Sequence, residues 1–198
     1  MNMSRILLIA PMAIFGIAGV GLWMLMTTPG LEGPFYDDLL PEIVGFCIEG
    51  FILVGLLTLI QHSRETARRR ELWLSLRGSF RGLLSNLDIA YLDPDGEPTA
   101  SRDLESDPRV VEHLIGELAV KHPDLDSLIA LKKEGAETLS LTRDLVAVAA
   151  QLSATHMNWW IAIVDSIRQL SEARDRDMLE RSAHELLINI QEFDRLEY

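Results

Sequence analysis

Residues 43–61 read IVGFCIEGFILVGLLTLIQ, and Glu49 is the only charged side chain among them. At about 1.5 Å per residue, a helix of this length spans a hydrocarbon core about 30 Å thick. A second stretch, residues 6–26 (ILLIAPMAIFGIAGVGLWMLM), carries no charge. Joined by residues 27–42, the two predict a helical hairpin through a membrane. Both are apolar all round, which argues against helices lying flat in the headgroup layer with one polar face. The first stretch outruns the 7–15-residue apolar core of a secretory signal and has no A-x-A site before Thr27, so an uncleaved anchor is expected.

The flanking charges set the direction of the hairpin. Only Arg5 precedes the first stretch, and the connecting segment holds Glu32, Asp37, Asp38 and Glu42 with no Lys or Arg. Directly after the second stretch come Arg64, Arg68, Arg69, Arg70, Arg77 and Arg81, opposed by Glu65 and Glu71. Positive charge close to a span stays on the cytoplasmic side. Both termini are therefore expected in the cytoplasm of an inner membrane, with a short acidic loop outside.

Charge is uneven over the remainder. Of the net −12, residues 61–87 contribute six Arg against two acids, and residues 88–198 eleven basic against twenty-three acidic side chains. A basic collar is drawn to anionic headgroups at about 1 kcal/mol per residue. The acidic body is repelled by them, so hairpin, collar and body are expected to follow one another along the membrane normal. An acidic surface also excludes nucleic acid as a partner. Arg64, Arg68, Arg69 and Arg70 are the candidates for lipid headgroups, the alternative being a topological stop. The single cysteine, Cys47, lies inside the second stretch and rules out a disulfide framework within one chain.

The fold class expected is all-α: a two-helix transmembrane hairpin (1–61, spans about 6–26 and 43–61) followed by a cytoplasmic helical bundle. Pro41 suits the first turn of the second span, and no proline follows until Pro94. From Glu42 to about Leu87 nothing stronger than single glycines interrupts, so one helix is expected to run on through a basic juxtamembrane segment, 62–87. There Leu72, Leu76, Phe80, Leu83, Leu84 and Leu87 recur at helical spacing, an apolar stripe that needs a partner. Residues 88–107 hold Asp-Pro and Asp-Gly steps and read as a turn-rich linker. Asp93, Asp95 and Glu97 alternate in it, but Gly96 and Leu104 stand where a calcium loop would place other residues, so a solvated turn is expected.

Residues 108–198 are expected to form an acidic helical domain. Asp107 and Pro108 start a helix to about Lys121. Pro123 and Asp124 start a second, which Gly135 is expected to end, and a third covers about Glu137 to Ala154. Met157–Leu170 continues the periodicity. A last helix, about Asp177–Leu196, points Leu179, Ala183, Leu186, Leu187, Ile190 and Phe193 inward. Residues 145–164 are uncharged for twenty positions, but Gln151, His156 and Asn158 lie mid-segment, so buried core is expected there rather than a third span. Trp159 and Trp160 are adjacent on a helix and cannot both face the core.

Few residues invite chemistry. Glu49 lies about two turns inside the second span, where an ionised side chain is costly. Glu42, Gly45, Glu49, Leu53 and Leu56 share one helical face. In a parallel oligomer that face would place acidic rings at the outer mouth and an apolar constriction inward, a layout suited to cations. The plainer alternative has Glu49 protonated, or hydrogen-bonded to Trp23 at similar depth on the first span. Small residues (Ala10, Ala13, Gly16 and Gly19; Gly45, Gly50 and Gly55) allow close helix packing, within the hairpin or between copies.

His113 with Glu117 and Glu180 with His184 are four apart on their helices, with nothing to bring the pairs together, and no metal or other cofactor is expected. Arg181-x-x-His184 is too short for the Arg-x4-6-His signature of helical HEPN ribonucleases. No phosphate loop, dinucleotide turn or nucleophile elbow occurs, and no catalytic residue is assigned. The layout resembles, in architecture alone, small membrane effectors of bacterial immune systems, and no motif residue carries over. The expectation is a non-enzymatic inner-membrane protein in contact with membrane lipids. Its helical domain is expected to self-associate or bind a protein partner. The alternative is a homo-oligomeric channel or membrane-disrupting effector with an acidic outer mouth.

Overall fold

A computed structural model describes residues 3–28, 33, 39–92, 97–121 and 123–196. Among them every regular element is helical: α1 (Met3–Met26), α2 (Leu40–Gly78), α3 (Arg81–Tyr91), α4 (Ser101–Ser106), α5 (Arg109–Val120), α6 (Leu125–Asp144), α7 (Val146–Leu152), α8 (Ala154–Glu172) and α9 (Arg176–Asp194). The chain divides into two compact units, Met1–Ala67 and Arg68–Tyr198, and the boundary falls inside α2.

In the first unit α1 lies against the apolar part of α2. Contacts run in opposite order along the two helices: Met12 with Gly55, Phe15 with Gly50, Gly16 with Phe51, and Gly19 with Cys47. The pair is therefore antiparallel. Phe15 also meets Phe46 edge-on, ring centres 6.1 Å apart. Glycine is required at position 50, because a β-carbon there would lie 2.8 Å from the Phe15 ring. Among the described residues α2 alone contains a window long and apolar enough to cross a membrane, of mean hydropathy 2.5 and only 11% buried. In α1 the corresponding apolar stretch is the shorter Pro11–Leu25.

The second unit is a helical bundle with one core. Leu76, Phe80, Leu83, Leu84 and Leu87 are buried in it, so the apolar stripe finds its partner within its own chain. The helix carrying that stripe is not continuous, contrary to expectation. It breaks after Gly78, where Ser79 N and Phe80 N bond the Leu76 and Arg77 carbonyls in a tight turn and the Ser79 hydroxyl also donates to Leu76 O at 2.7 Å. Gly78 and a serine that competes for backbone groups lower the cost of leaving the helix. Phe80 is thereby stacked on Trp160 at 4.8 Å.

The segment expected to be a linker is partly folded. Helix α3 continues to Tyr91, and α4 inserts Leu104, 2% exposed, into the core. Asp88 accepts hydrogen bonds from Thr99 N (2.7 Å) and Thr99 Oγ1 (2.6 Å), tying α3 to the residues that precede α4. Asp93 and Asp95 lie outside the described residues, and Glu97 is exposed.

Local signals place most later helices. Asp107 Oδ1 accepts from Arg109 N at the start of α5, Asp124 from Ser127 N at α6, and Asp175 from Met178 N at α9. Each satisfies an amide that the first turn leaves open. Gly135, expected to end a helix, instead sits buried in the middle of α6. A β-carbon there would meet Leu170 Cδ2 at 3.3 Å, so its role is close approach to α8. The uncharged run 145–164 is interrupted at Ser153, whose Oγ accepts from His156 N and caps α8. Ala149, Leu152, Trp160, Ile163 and Val164 are buried in the core, as expected. Trp160 donates from Nε1 to Thr142 O at 2.8 Å, while Trp159 is only partly buried at the core's edge. In α9 the six inward residues expected are all buried.

Candidate functional site

Helical geometry sorts the apolar part of α2 into two faces. Val44 and Cys47 are buried, and Phe51 and Gly50 join them against α1. Glu49 lies about 200° round the helix from Cys47, at about 100° per residue. Glu42, Glu49, Leu53 and Leu56 are all exposed on this opposite face. The structure thus brings the candidate pore residues onto one strip of α2 that α1 does not cover.

Trp23 is placed elsewhere. It is 56% exposed on α1 and lines a groove of about 300 Å³ with Gly19, Val44, Cys47 and Phe51. Trp23 thus shares a groove with the buried side of α2, and among the described residues no hydrogen bond joins it to Glu49. The Glu49–Trp23 hydrogen bond expected as the plainer alternative is not formed, because position along two helices says nothing about azimuth.

The arginines following Gln61 separate into two kinds. Arg64, Arg68 and Arg70 are exposed and Arg69 is half-buried. Arg68 donates to Gln151 Oε1 at 3.0 Å, which accounts for one of the polar groups in the uncharged run. Arg81 pairs with Glu105 at 2.8 Å on the surface, a contact worth little in water. Arg77 does not belong with the collar at all. Its guanidinium is fully buried, pairs through Nε with Asp194 at 3.0 Å and donates to the Leu104 and Asp107 carbonyls. It also lies 5.8 Å from the Trp73 ring centre.

Arg77 is therefore the polar hub of the bundle: it joins α2, α4, the entry to α5 and the end of α9. Burial pushes the Asp194 carboxyl up to about 6, with Arg77 pulling the other way. Charge counting conceals this hub. The signal was phase, since Arg77 falls within the apolar stripe, one turn after Trp73 and three residues before Phe80.

The histidine pairs do not assemble. His113 and His184 are exposed. Glu117 and Glu180 do approach a common neighbour, Tyr91, whose hydroxyl is pushed up to about 12 by burial and by these two carboxylates. Glu117 is already paired with Lys121 at 2.5 Å and Glu180 with Arg176 at 2.8 Å. Among the described residues no group of three or more His, Cys, Asp or Glu is arranged to hold a metal. No family model, curated protein or solved structure matches the chain. Its surfaces and buried groups are what a functional reading has to rest on.

Proposed function

We propose that residues 6–26 and 43–61 cross the inner membrane as a two-span hairpin with both termini in the cytoplasm. The helical domain beyond acts there without catalysis, as a scaffold or regulatory subunit that self-associates or binds a protein partner. The supporting observation is the hairpin's outer surface. Ile14, Ile17, Phe46, Ile52 and Leu59 are each 61–75% exposed, on several sides of the pair. A soluble monomer rarely leaves more than a few hundred Å² of contiguous apolar surface in water. Lipid is the solvent that such a surface fits, and the arginines after Gln61 favour the cytoplasmic orientation.

Two measurements test this in the full-length protein with Cys47→Ser. Carbonate should leave the protein in the membrane fraction. An impermeant maleimide applied to intact cells should label Thr28→Cys and spare Ser101→Cys; the reverse pattern would overturn the topology. Native mass in mild detergent then reads self-association.

A channel or membrane-disrupting assembly is the second reading, favoured by one observation: Glu42 and Glu49 share an uncovered face with Leu53 and Leu56. Four or more copies would supply enough helices to enclose a pore. Glu49→Gln should then change cation conductance in liposomes without altering assembly. Unchanged conductance would remove this reading.

A further inference from the structure

We propose that His156 is a proton-operated latch on the corner between α7 and α8. The neutral ring holds the corner shut and α7 against the core, and a proton on that ring releases α7 together with its contact to Arg68 of α2. The latch lies wholly within the second unit, Arg68–Tyr198, and does not depend on where the hairpin resides.

The corner is a single residue. Ser153 is extended (φ −168°, ψ 167°) between the last residue of α7 and the first of α8. Its hydroxyl is engaged twice by one neighbour: Oγ accepts from His156 N at 3.1 Å and lies 2.8 Å from His156 Nδ1. The ring ties this corner to the core, since it also meets Phe193 of α9 edge-on with ring centres 5.4 Å apart. Two residues before Ser153, Gln151 accepts the hydrogen bond from Arg68 at 3.0 Å. Corner, core and the last part of α2 are thus joined around one imidazole.

The surroundings suit that imidazole only while it is neutral. His156 is 3% exposed, and its Nε2 is buried with no hydrogen-bond partner among the described residues. A neutral ring can serve Ser153 through Nδ1 and leave Nε2 as a bare acceptor, whereas a protonated ring must bury an N–H there with nothing to receive it. The cation would also sit in the first turn of α8, at the positive end of the helix dipole. Burial opposes the charge most, and Arg69 of α2 opposes it further. Among the described residues no carboxylate offsets this. Helix α7 has no ionisable residue, and Asp165 of α8 is paired with Arg168. On α9, Asp194 is committed to Arg77 and Glu192 to Arg195, while Arg143 and Asp144 at the end of α6 are exposed.

A proton is therefore taken up at ordinary histidine pH only by a ring that has left this site. Reaching water breaks its contacts with Ser153 and Phe193, the two that fix the corner. Helix α7 has little else to hold it: it is seven residues long, with Ala149 and Leu152 as its buried side chains. So short a helix depends on its packing to persist. The open form binds the proton more tightly than the closed one, so opening grows as pH falls, by at most about tenfold per pH unit for one proton.

The test uses the full-length protein in mild detergent with Cys47→Ser and one added cysteine. That cysteine is Ala149→Cys in α7 or Ala183→Cys in α9, both positions fully buried in the parent. Labelling by a dipyridyl disulfide, which reacts with thiols in acid as well, is followed from about pH 7 to 5. The ratio of the Ala149→Cys rate to the Ala183→Cys rate should rise several-fold over that range and stay flat once His156→Gln is added. Should His156→Gln not fold, His156→Asn serves in its place. A flat ratio with His156 present would overturn the proposal, as would a rise that survives loss of the imidazole. Equal acceleration at both positions would overturn it too, since the whole bundle would then be loosening rather than one corner.

Discussion

Arg77 and Asp194, 117 positions apart in sequence, meet in the core with the guanidinium fully buried and the carboxylate side chain 2% exposed, at 3.0 Å. Arg77 Nη1 and Nη2 also donate to the Leu104 and Asp107 carbonyls, at helix ends where intrahelical partners run out. Removing one partner of a buried pair leaves the other charge uncompensated, at about 3–5 kcal/mol. Arg77→Met should therefore lower the denaturation midpoint of the full-length protein in detergent severely. Asp194→Asn should cost less, since Arg77 keeps its two carbonyl partners. Equal small effects would mean that the pair is hydrated rather than buried.

Asp194 should leave its own mark on the pH dependence of stability. Its carboxyl is raised to about 6, mainly by burial and against the pull of Arg77. The folded state therefore binds this proton at a pH where the unfolded chain, near 3.8, has released it. Folding is then favoured increasingly as pH falls from about 6 towards 4, so far as this group is concerned. The stability of the parent minus that of Asp194→Asn should rise over that window in parallel denaturation curves. A difference that falls with falling pH would mean that Arg77 outweighs burial.

His156 works in the opposite direction. Burial lowers it and Arg69 adds a smaller push the same way. Its Nδ1 is 2.8 Å from the Ser153 hydroxyl, and its ring meets Phe193 edge-on at 5.4 Å. The folded state holds the neutral ring, so its stabilising contribution is complete above the ordinary histidine range and is lost as pH drops through it. Relative to His156→Gln, the parent should lose stability between about pH 7 and 5. A flat difference across that range would show that the ring is solvated when charged.

What could be read from the sequence followed local rules, and what could not depended on contacts distant along the chain. Asp107 and Asp124 announce α5 and α6 because each side chain accepts from an amide only two or three residues on. The inward face of α9 follows from spacing alone. Gly135 misleads because its local meaning, a helix end, is overridden by Leu170 some thirty-five positions later. The Gly78–Phe80 turn had only weak local signals, and what holds it is Phe80 on Trp160. Glu49 and Trp23 look matched in their positions along the two apolar stretches, but only the packing of Phe15 on Gly50 fixes which way each points. Arg77 looks like surface charge in the sequence because a count of charges ignores helical phase.

The register of the hairpin can be tested with its one natural thiol. A β-carbon built at Gly19 lies 3.4 Å from Cys47 Cβ, close to the roughly 3.5–4.5 Å that a disulfide needs. Gly19→Cys should therefore close an intrachain disulfide with Cys47 on mild oxidation, read as loss of free thiol and faster migration without reducing agent. Gly21→Cys, on a part of α1 where a β-carbon meets nothing within 4 Å, should not. Adding Gly50→Val to Gly19→Cys drives side-chain atoms into the Phe15 ring and should slow closure by prising the two helices apart. Closure in Gly21→Cys but not in Gly19→Cys would mean that α1 is rotated on α2. The assignment of Glu49 to the outer face would then have to be revised with it, because both follow from the same antiparallel contacts.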